Sequence, residues 1–289
     1  MSLKGIAKET LAIVEAGAYV APSGERRDLR AAIDQSIAGT RLYDPADLET
    51  LLAARPDAVA VTAPPRIEVT GETTGAAARR IATSGSVAAL NFASAKNPGG
   101  GFLGGAKAQE EDLARCSALY SCQITVPRYY AKNRACGSPL YTDHVIYSPS
   151  VPFFRDERLE LLEEPFACSI VTAPAPNAGV ALRGSPRARP GVTAALARRA
   201  AMVLAVFADR GERRLVLGAW GCGVFRNDPV EVATVFATLL ASPAYACAFD
   251  LAVFAIYDRR PDQPVLAAFQ RAFADNGGAK MPISTPPDL

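Results

Sequence analysis

An α/β fold with a largely parallel central sheet is predicted by three features of the sequence. Short β-rich apolar runs alternate with helical segments from about residue 57 onward, the order that lays helices over a sheet. The runs at 87–93, 168–173, 214–219 and 250–257 are apolar at nearly every position, as strands are when both faces are covered. The loops that follow three of these strands are rich in Gly, Pro or Asn, and in such folds ligands gather at the carboxyl ends of strands.

Residues 1–56 have another texture. Ile6, Thr10, Ile13 and Val14, then Leu29, Ile33 and Ile37, recur with helical spacing. Pro22-Ser23-Gly24 separates two helices, and Asp44-Pro45-Ala46-Asp47 is a helix-start signal ahead of Leu48, Leu51 and Leu52. The segment is expected to be an N-terminal helical accessory piece, with a single α/β domain over 57–289. Strands are then expected at 58–62 (AVAVT), 67–70, 87–93, 144–149, 168–173, 214–220 and 249–258. Helices are expected near 74–83, 108–126, 191–210, 229–241 and 262–274. Residues 129–165, with Pro139, Pro149 and Pro152, read as a longer irregular stretch.

Composition narrows the function. With 49% apolar residues the chain can bury a full core. A net charge of +2 and no Lys/Arg run longer than two give no general grip on DNA or an anionic membrane, so neither is expected as a partner. No apolar run reaches the roughly 20 residues of a membrane span, and the N-terminus lacks a signal peptide's apolar core; a soluble, cytoplasmic protein is expected. The six cysteines are scattered, there is one histidine, His144, and no Cys-x2-Cys pair occurs. No metal or other cofactor is expected, and His144 reads as structural.

The loop after VAALNFA is SAKNPGGGFLGG, and the loop after RLVLG is AWGCGVFRNDP. Gly99, Gly100 and Gly101 permit close backbone approach to a ligand, and successive exposed N–H groups form an anion-binding concavity. Gly221-Cys222-Gly223-Val224-Phe225 has the same character and leads into a helix near Pro229, whose N-terminus favours phosphate. Two such loops on one rim suit a diphosphate. Cys222 reads as a small residue whose amide faces phosphate, and Trp220 and Phe225 as ring partners for a ligand or as core.

Gln109, Glu110 and Glu111 then open a helix. Acidic residues in a first turn are ordinarily dipole partners, but the glycine loop sets these beside the proposed diphosphate. Neighbouring helix positions are about 100° apart, so the two carboxylates are expected to diverge, one holding a sugar or the loop and the other reaching the bond to be broken. A neighbouring carboxylate, the diphosphate and burial each raise a glutamate's pKa, as a general acid near neutral pH requires.

Asn-Pro-Gly-Gly-Gly, a seven-residue spacer and Gln-Glu-Glu resemble the signature of poly(ADP-ribose) glycohydrolases. GAWGCGVFRNDP resembles the second phosphate loop of macrodomains, and TAPAPN, 172–177, fits the compact bacterial-type branch. The resemblance spans about residues 57–275. It implies a macrodomain-like three-layer α/β/α sandwich that hydrolyses the ribose–ribose O-glycosidic bonds of poly(ADP-ribose) without a cofactor. It implies poly(ADP-ribose), ADP-ribose and poly-ADP-ribosylated proteins as partners. Carried over by residue, Glu111 is the catalytic acid and then base, and Glu110 holds the ribose hydroxyl side. Asn97 binds the distal ribose, Gln109 joins the substrate contacts, and Phe225 packs on the distal ribose. The amides of Gly99, Gly100, Gly101, Gly221, Cys222, Gly223 and Val224 hold the diphosphate. A non-catalytic ADP-ribose reader and a hydrolase of mono-ADP-ribosylated protein are the alternatives.

Overall fold

The structure is a computed structural model that describes residues 2–55 and 64–274; the strand expected at 58–62 lies outside them. The N-terminal part runs α1 (Leu3–Ala16), β1 (Ala18–Val20), β2 (Arg26–Asp28), α2 (Arg30–Gly39), β3 (Arg41–Tyr43) and α3 (Pro45–Ala53). Asp44 caps α3 as its sequence predicts: its carboxylate accepts from the amides of Ala46 and Asp47, while Asp47 accepts from the Asp44 amide. Pro22-Ser23-Gly24 lies in the turn between β1 and β2.

Next come β4 (Arg66–Thr70), α4 (Thr74–Ala82), β5 (Ala88–Phe92), α5 (Gln109–Cys116), α6 (Leu119–Ile124) and α7 (Pro127–Ala135). They are followed by β6 (Val145–Arg155), β7 (Leu161–Ala173), α8 (Ala178–Gly184) and α9 (Arg189–Asp209). The described chain closes with β8 (Arg214–Leu217), α10 (Pro229–Ala241), β9 (Leu251–Ala255) and α11 (Pro264–Ala274).

One seven-stranded sheet, in the order β3-β6-β7-β5-β8-β9-β4, organises the molecule. The run from β7 to β4 is parallel throughout, and β6 is antiparallel to both β3 and β7. Alternate side chains on each strand feed opposite layers. Ala88, Leu90, Leu215, Leu217, Ala252 and Phe254 enter one core with α9, α10 and α11. Ala89, Val216 and Val253 enter the other, with α1, α2 and α4 to α6. The sheet is therefore sandwiched by helices.

Four stretches differ from the sequence reading. Residues 1–56 supply more than helices: β3 pairs with β6, and Ile13, Tyr19, Leu29 and Ile33 share a core with Ala89 and Val216. Three-residue strands are too short to show a period of two. The helix expected over 108–126 is broken at Ser117, which bridges to Phe153, while the Ala118 amide donates to Pro152 O at 3.1 Å. The irregular 129–165 stretch forms α7 and most of a long antiparallel pair, β6 with β7. Register shifts lie between Ser148 and Val151 and between Phe153 and Arg155, and prolines are tolerated in strands where such bulges interrupt the ladder. Residues 186–209 form one helical stretch long and apolar enough to cross a bilayer, against the expectation of none. In this fold Leu196, Val203 and Phe207 on that stretch lie within the core.

Candidate active site

Parallel pairing of β7, β5, β8 and β9 brings the loops after these strands to one rim. The loop after β5 is fastened from below by a buried carboxylate. Glu110 Oε2 accepts from the Ser94 amide at 2.6 Å, and its Oε1 accepts from Asn91 Nδ2 at 3.1 Å and Gln123 Nε2 at 2.9 Å. Glu110 is only 3% exposed. Burial pushes its carboxyl up to about 7, against the lowering effect of the three donors. The Glu110 proton is thus held well above the usual carboxylate range.

Glu111 is half-buried and is held from the loop side: the Gly101 amide donates to its Oε1 at 2.9 Å. Gly100 sits between the glutamates with φ +59, and a Cβ there would overlap Glu111 Oε1 and lie 3.1 Å from Glu110 Oε2. The carboxylates thus converge on Gly100 instead of diverging. Both reach back to the same loop, which curls over the first turn of α5.

The first loop does not offer the amides expected of it. The Gly99 N–H donates to Gln123 Oε1 at 2.8 Å, that of Gly100 to Asn97 O at 3.1 Å, and that of Gly101 to Glu111. Its tight turns engage these donors internally, so the loop positions carboxylates. Asn97 stands exposed at its edge. Gln109 is engaged too: its Oε1 accepts from the Phe92 amide, and its Nε2 donates to Leu90 O and Thr74 Oγ1. It ties α5 to β5 and α4 and also lines the cavity described below.

The second loop keeps its donors. Cys222 is the exception, since its amide donates to Ala219 O at 3.1 Å. Among the described residues, the amides of Gly221, Gly223, Val224 and Phe225 have no partner within the chain. Val224 is 84% exposed. Asn227 braces the loop by donating to Pro176 O and Gly221 O, and Asp228 then caps α10 through the Val230 amide. This is an anion cradle of free amides at a helix N-terminus. Burial pushes the Cys222 thiol up to about 12, which keeps it from acting as a thiolate nucleophile near neutral pH.

A cavity of about 610 Å³ joins the second loop, at Cys222 and Gly223, to the start of α5, at Gln109 and Asp112. Its far wall carries Tyr257, which is 58% exposed and whose ring lies under the Arg259 guanidinium at 5.1 Å. Glu110, Glu111 and Asn97 lie outside its lining, so cavity and carboxylates are consecutive stations along the rim. Phe225 stands on the other flank, 5.7 Å from the Tyr141 ring. Tyr141 has φ +60, a left-handed backbone uncommon for an aromatic residue.

Trp220 is fully buried and donates to Ala173 O. His144 is buried with Nδ1 2.9 Å from Thr142 Oγ1. Sequence reading missed Asn91 and Gln123. The first had a signal, an amide in the middle of the apolar run VAALNFA; the second, in the short helix LYSCQI, had none.

A sheet sandwich with free amides in one rim loop and a carboxylate held beside them in the next defines the class of macrodomain-like hydrolases. The family model described as "Microbial-type PARG, catalytic domain" matches residues 7–156, where PARG is poly(ADP-ribose) glycohydrolase. The chain belongs to this family. A crystal structure of poly(ADP-ribose) glycohydrolase from Thermomonospora curvata is 50% identical, with a TM-score of 0.89, over 94% of this chain and 99% of that one. The same protein bound to the inhibitor ADP-HPD is matched at 49% identity and a TM-score of 0.86, over 93% of this chain and 98% of that one. The poly(ADP-ribose) glycohydrolase of Deinococcus radiodurans in complex with ADP-ribose is 50% identical, with a TM-score of 0.78, over 84% of this chain and 97% of that one. No curated protein matches the chain.

Proposed function

We infer that this chain is a poly(ADP-ribose) glycohydrolase: it hydrolyses the ribose–ribose O-glycosidic bonds of poly(ADP-ribose) and releases ADP-ribose. The observation that carries the reading is the convergence of Glu111 and Glu110 on Gly100, one rim loop away from the free amides of Gly221, Gly223 and Val224. Proteins modified with the polymer are its partners.

The terminal ADP-ribose lies along the rim. Its adenosine enters the cavity beside Tyr257, its diphosphate takes the second loop's amides, and its distal ribose lies between Asn97 and Phe225. Glu111 gives a proton to the ribose oxygen of the departing chain as the C–O bond breaks. The distal ribose becomes oxocarbenium-like, and the diphosphate held by the second loop offsets its positive charge. Glu111, now a carboxylate, takes the proton of the attacking water. Glu110 holds the Ser94 amide and offers its remaining acceptor capacity on the Gly100 side to a ribose hydroxyl.

The test is Glu111→Gln with labelled polymer. ADP-ribose affinity should stay within about threefold of wild type while ADP-ribose release falls about 10²-fold or more, the ordinary scale of lost proton transfer. Residual activity equal to wild type rejects Glu111 as the acid. A wild-type protein that binds ADP-ribose yet leaves the chain-length distribution unchanged is a reader and not an enzyme.

A further inference from the structure

The charge around the rim is lopsided. The cavity wall is balanced, with Asp112, Asp156, Glu157 and Asp258 set against Lys107, Arg155, Arg259 and Arg260. Beyond the scissile position the balance disappears: residues 113–142 and 165–208 contain no Asp or Glu. The fold brings these two segments together beside the site. Arg134, on the last turn of α7, donates to Lys96 O next to Asn97. The Asn177 amide donates to Pro139 O at 2.8 Å, and the Gly179 amide to Phe225 O at 2.9 Å. The last turn of α7, the loop after it, α8 and the short helical turn Pro186–Ala188 that follows it therefore form one band that starts at the first loop and passes against Phe225.

Lys96, Lys132, Arg134, Arg183 and Arg187 are exposed along this band, and among the described residues none has an acidic partner. Asp143, the first acid after Lys132 and Arg134 in the chain, is already held by Arg198 at 2.6 Å and Arg199 at 2.9 Å. Asp44 and Glu231 reach α7 and α9 from other elements but are paired with Arg128 and Arg189. Unpaired cations attract a polyanion, and a chain that carries a diphosphate in every unit is one.

We propose that this band is the track for the departing polymer, binding the pyrophosphate of the ADP-ribose units that follow the scissile bond. The proposal rests on the glycohydrolase reading above. It adds a second binding region that a single ADP-ribose does not touch. The band raises affinity for long chains and leaves the chemistry of the terminal unit unchanged.

The experiment compares two triple variants. One removes band cations: Lys132→Gln, Arg183→Gln and Arg187→Gln. The other removes equal charge from α1, α4 and α11: Lys8→Gln, Arg79→Gln and Arg271→Gln. KM and kcat are measured on long polymer and on the ADP-ribose dimer across a salt series. Long-polymer and dimer affinities are also read by fluorescence anisotropy in a Glu111→Gln background, which needs no turnover. The band variant should raise KM and Kd for long polymer about tenfold, as expected for three partly screened surface contacts. Its salt slope on long polymer should fall by about 0.7 per cation that meets a phosphate, with kcat and free ADP-ribose affinity unchanged and a smaller loss on the dimer, which has only one unit beyond the scissile bond. Unchanged polymer affinity overturns the track, and so does an equal loss in the second triple, which would mark a general charge effect. Failure of the wild type to cleave even the dimer would instead reject the glycohydrolase reading, and the anisotropy contrast would still decide the track.

Discussion

Adding one methyl group at residue 100 tests the geometry of the carboxylates directly. In Gly100→Ala the new Cβ would overlap Glu111 Oε1 and stand 3.0 Å from its Cδ and 3.1 Å from Glu110 Oε2. Glu110 cannot retreat, because three donors hold it in a buried site. Glu111, half-buried, must therefore move, by roughly 1 Å to restore ordinary contact, and a displacement of that size costs about 10²-fold in rate. The move also weakens the bond from the Gly101 amide, which contributes about 1 kcal/mol at a half-exposed site. Alanine at φ +59 adds about 1 kcal/mol of backbone strain. The sum predicts a loss of about 2 kcal/mol of stability and about 10²-fold in kcat. ADP-ribose affinity should change less than about threefold, because the second loop supplies the free amides. Urea unfolding, ADP-ribose release from polymer and calorimetric titration with ADP-ribose read the three quantities. Gly104→Ala is the control, since a Cβ there meets nothing within 4 Å. A Gly100→Ala protein with wild-type kcat would refute the placement of Glu111 against the loop.

Two further outcomes follow from the same site. Burial raises the Glu110 carboxyl from 4.5 to about 7, so the folded state holds that proton more tightly than the unfolded chain. Its stabilising effect is full below pH 4.5 and is lost as pH rises through about 7. Relative to Glu110→Gln, wild type should lose about 3 kcal/mol across that window; parallel unfolding curves for the two proteins from pH 4.5 to 7 would contradict this. Gly221 has φ +73, and a Cβ there would lie 2.5 Å from Ala175 Cβ and overlap Asn227 Nδ2. Gly221→Ala should therefore distort the amide cradle and weaken ADP-ribose binding about tenfold, measured by calorimetry; unchanged affinity would remove the second loop from the diphosphate site.

Much of this protein was legible in its sequence because the relevant signals are local. Near-continuous apolar runs separated by helical periods specify a covered parallel sheet, and the alternation of Ala88, Ala89 and Leu90 between the two cores is the period of two carried into space. The Asp44 cap, the two glycine loops and Gln-Glu-Glu at a helix start can each be read within a dozen residues. The assignment of hydrogen bonds could not be read that way. Whether an N–H in a glycine loop is free depends on partners 10 to 24 residues away, such as Glu111 for Gly101 and Gln123 for Gly99. Burial of Glu110, which raises its pKa, is set by the elements packed around it, and the donors that oppose the rise, Asn91, Ser94 and Gln123, come from β5, the loop after it and α6. The same limit hid β3 and the β6–β7 pair, whose pattern is short or broken by proline and becomes strand only when a neighbouring strand supplies the ladder. The sequence determined where backbone permissiveness and acidity lie along the chain. Tertiary structure decided which amides remain free and which carboxylate is buried, because desolvation and hydrogen-bond pairing are set by neighbours in space.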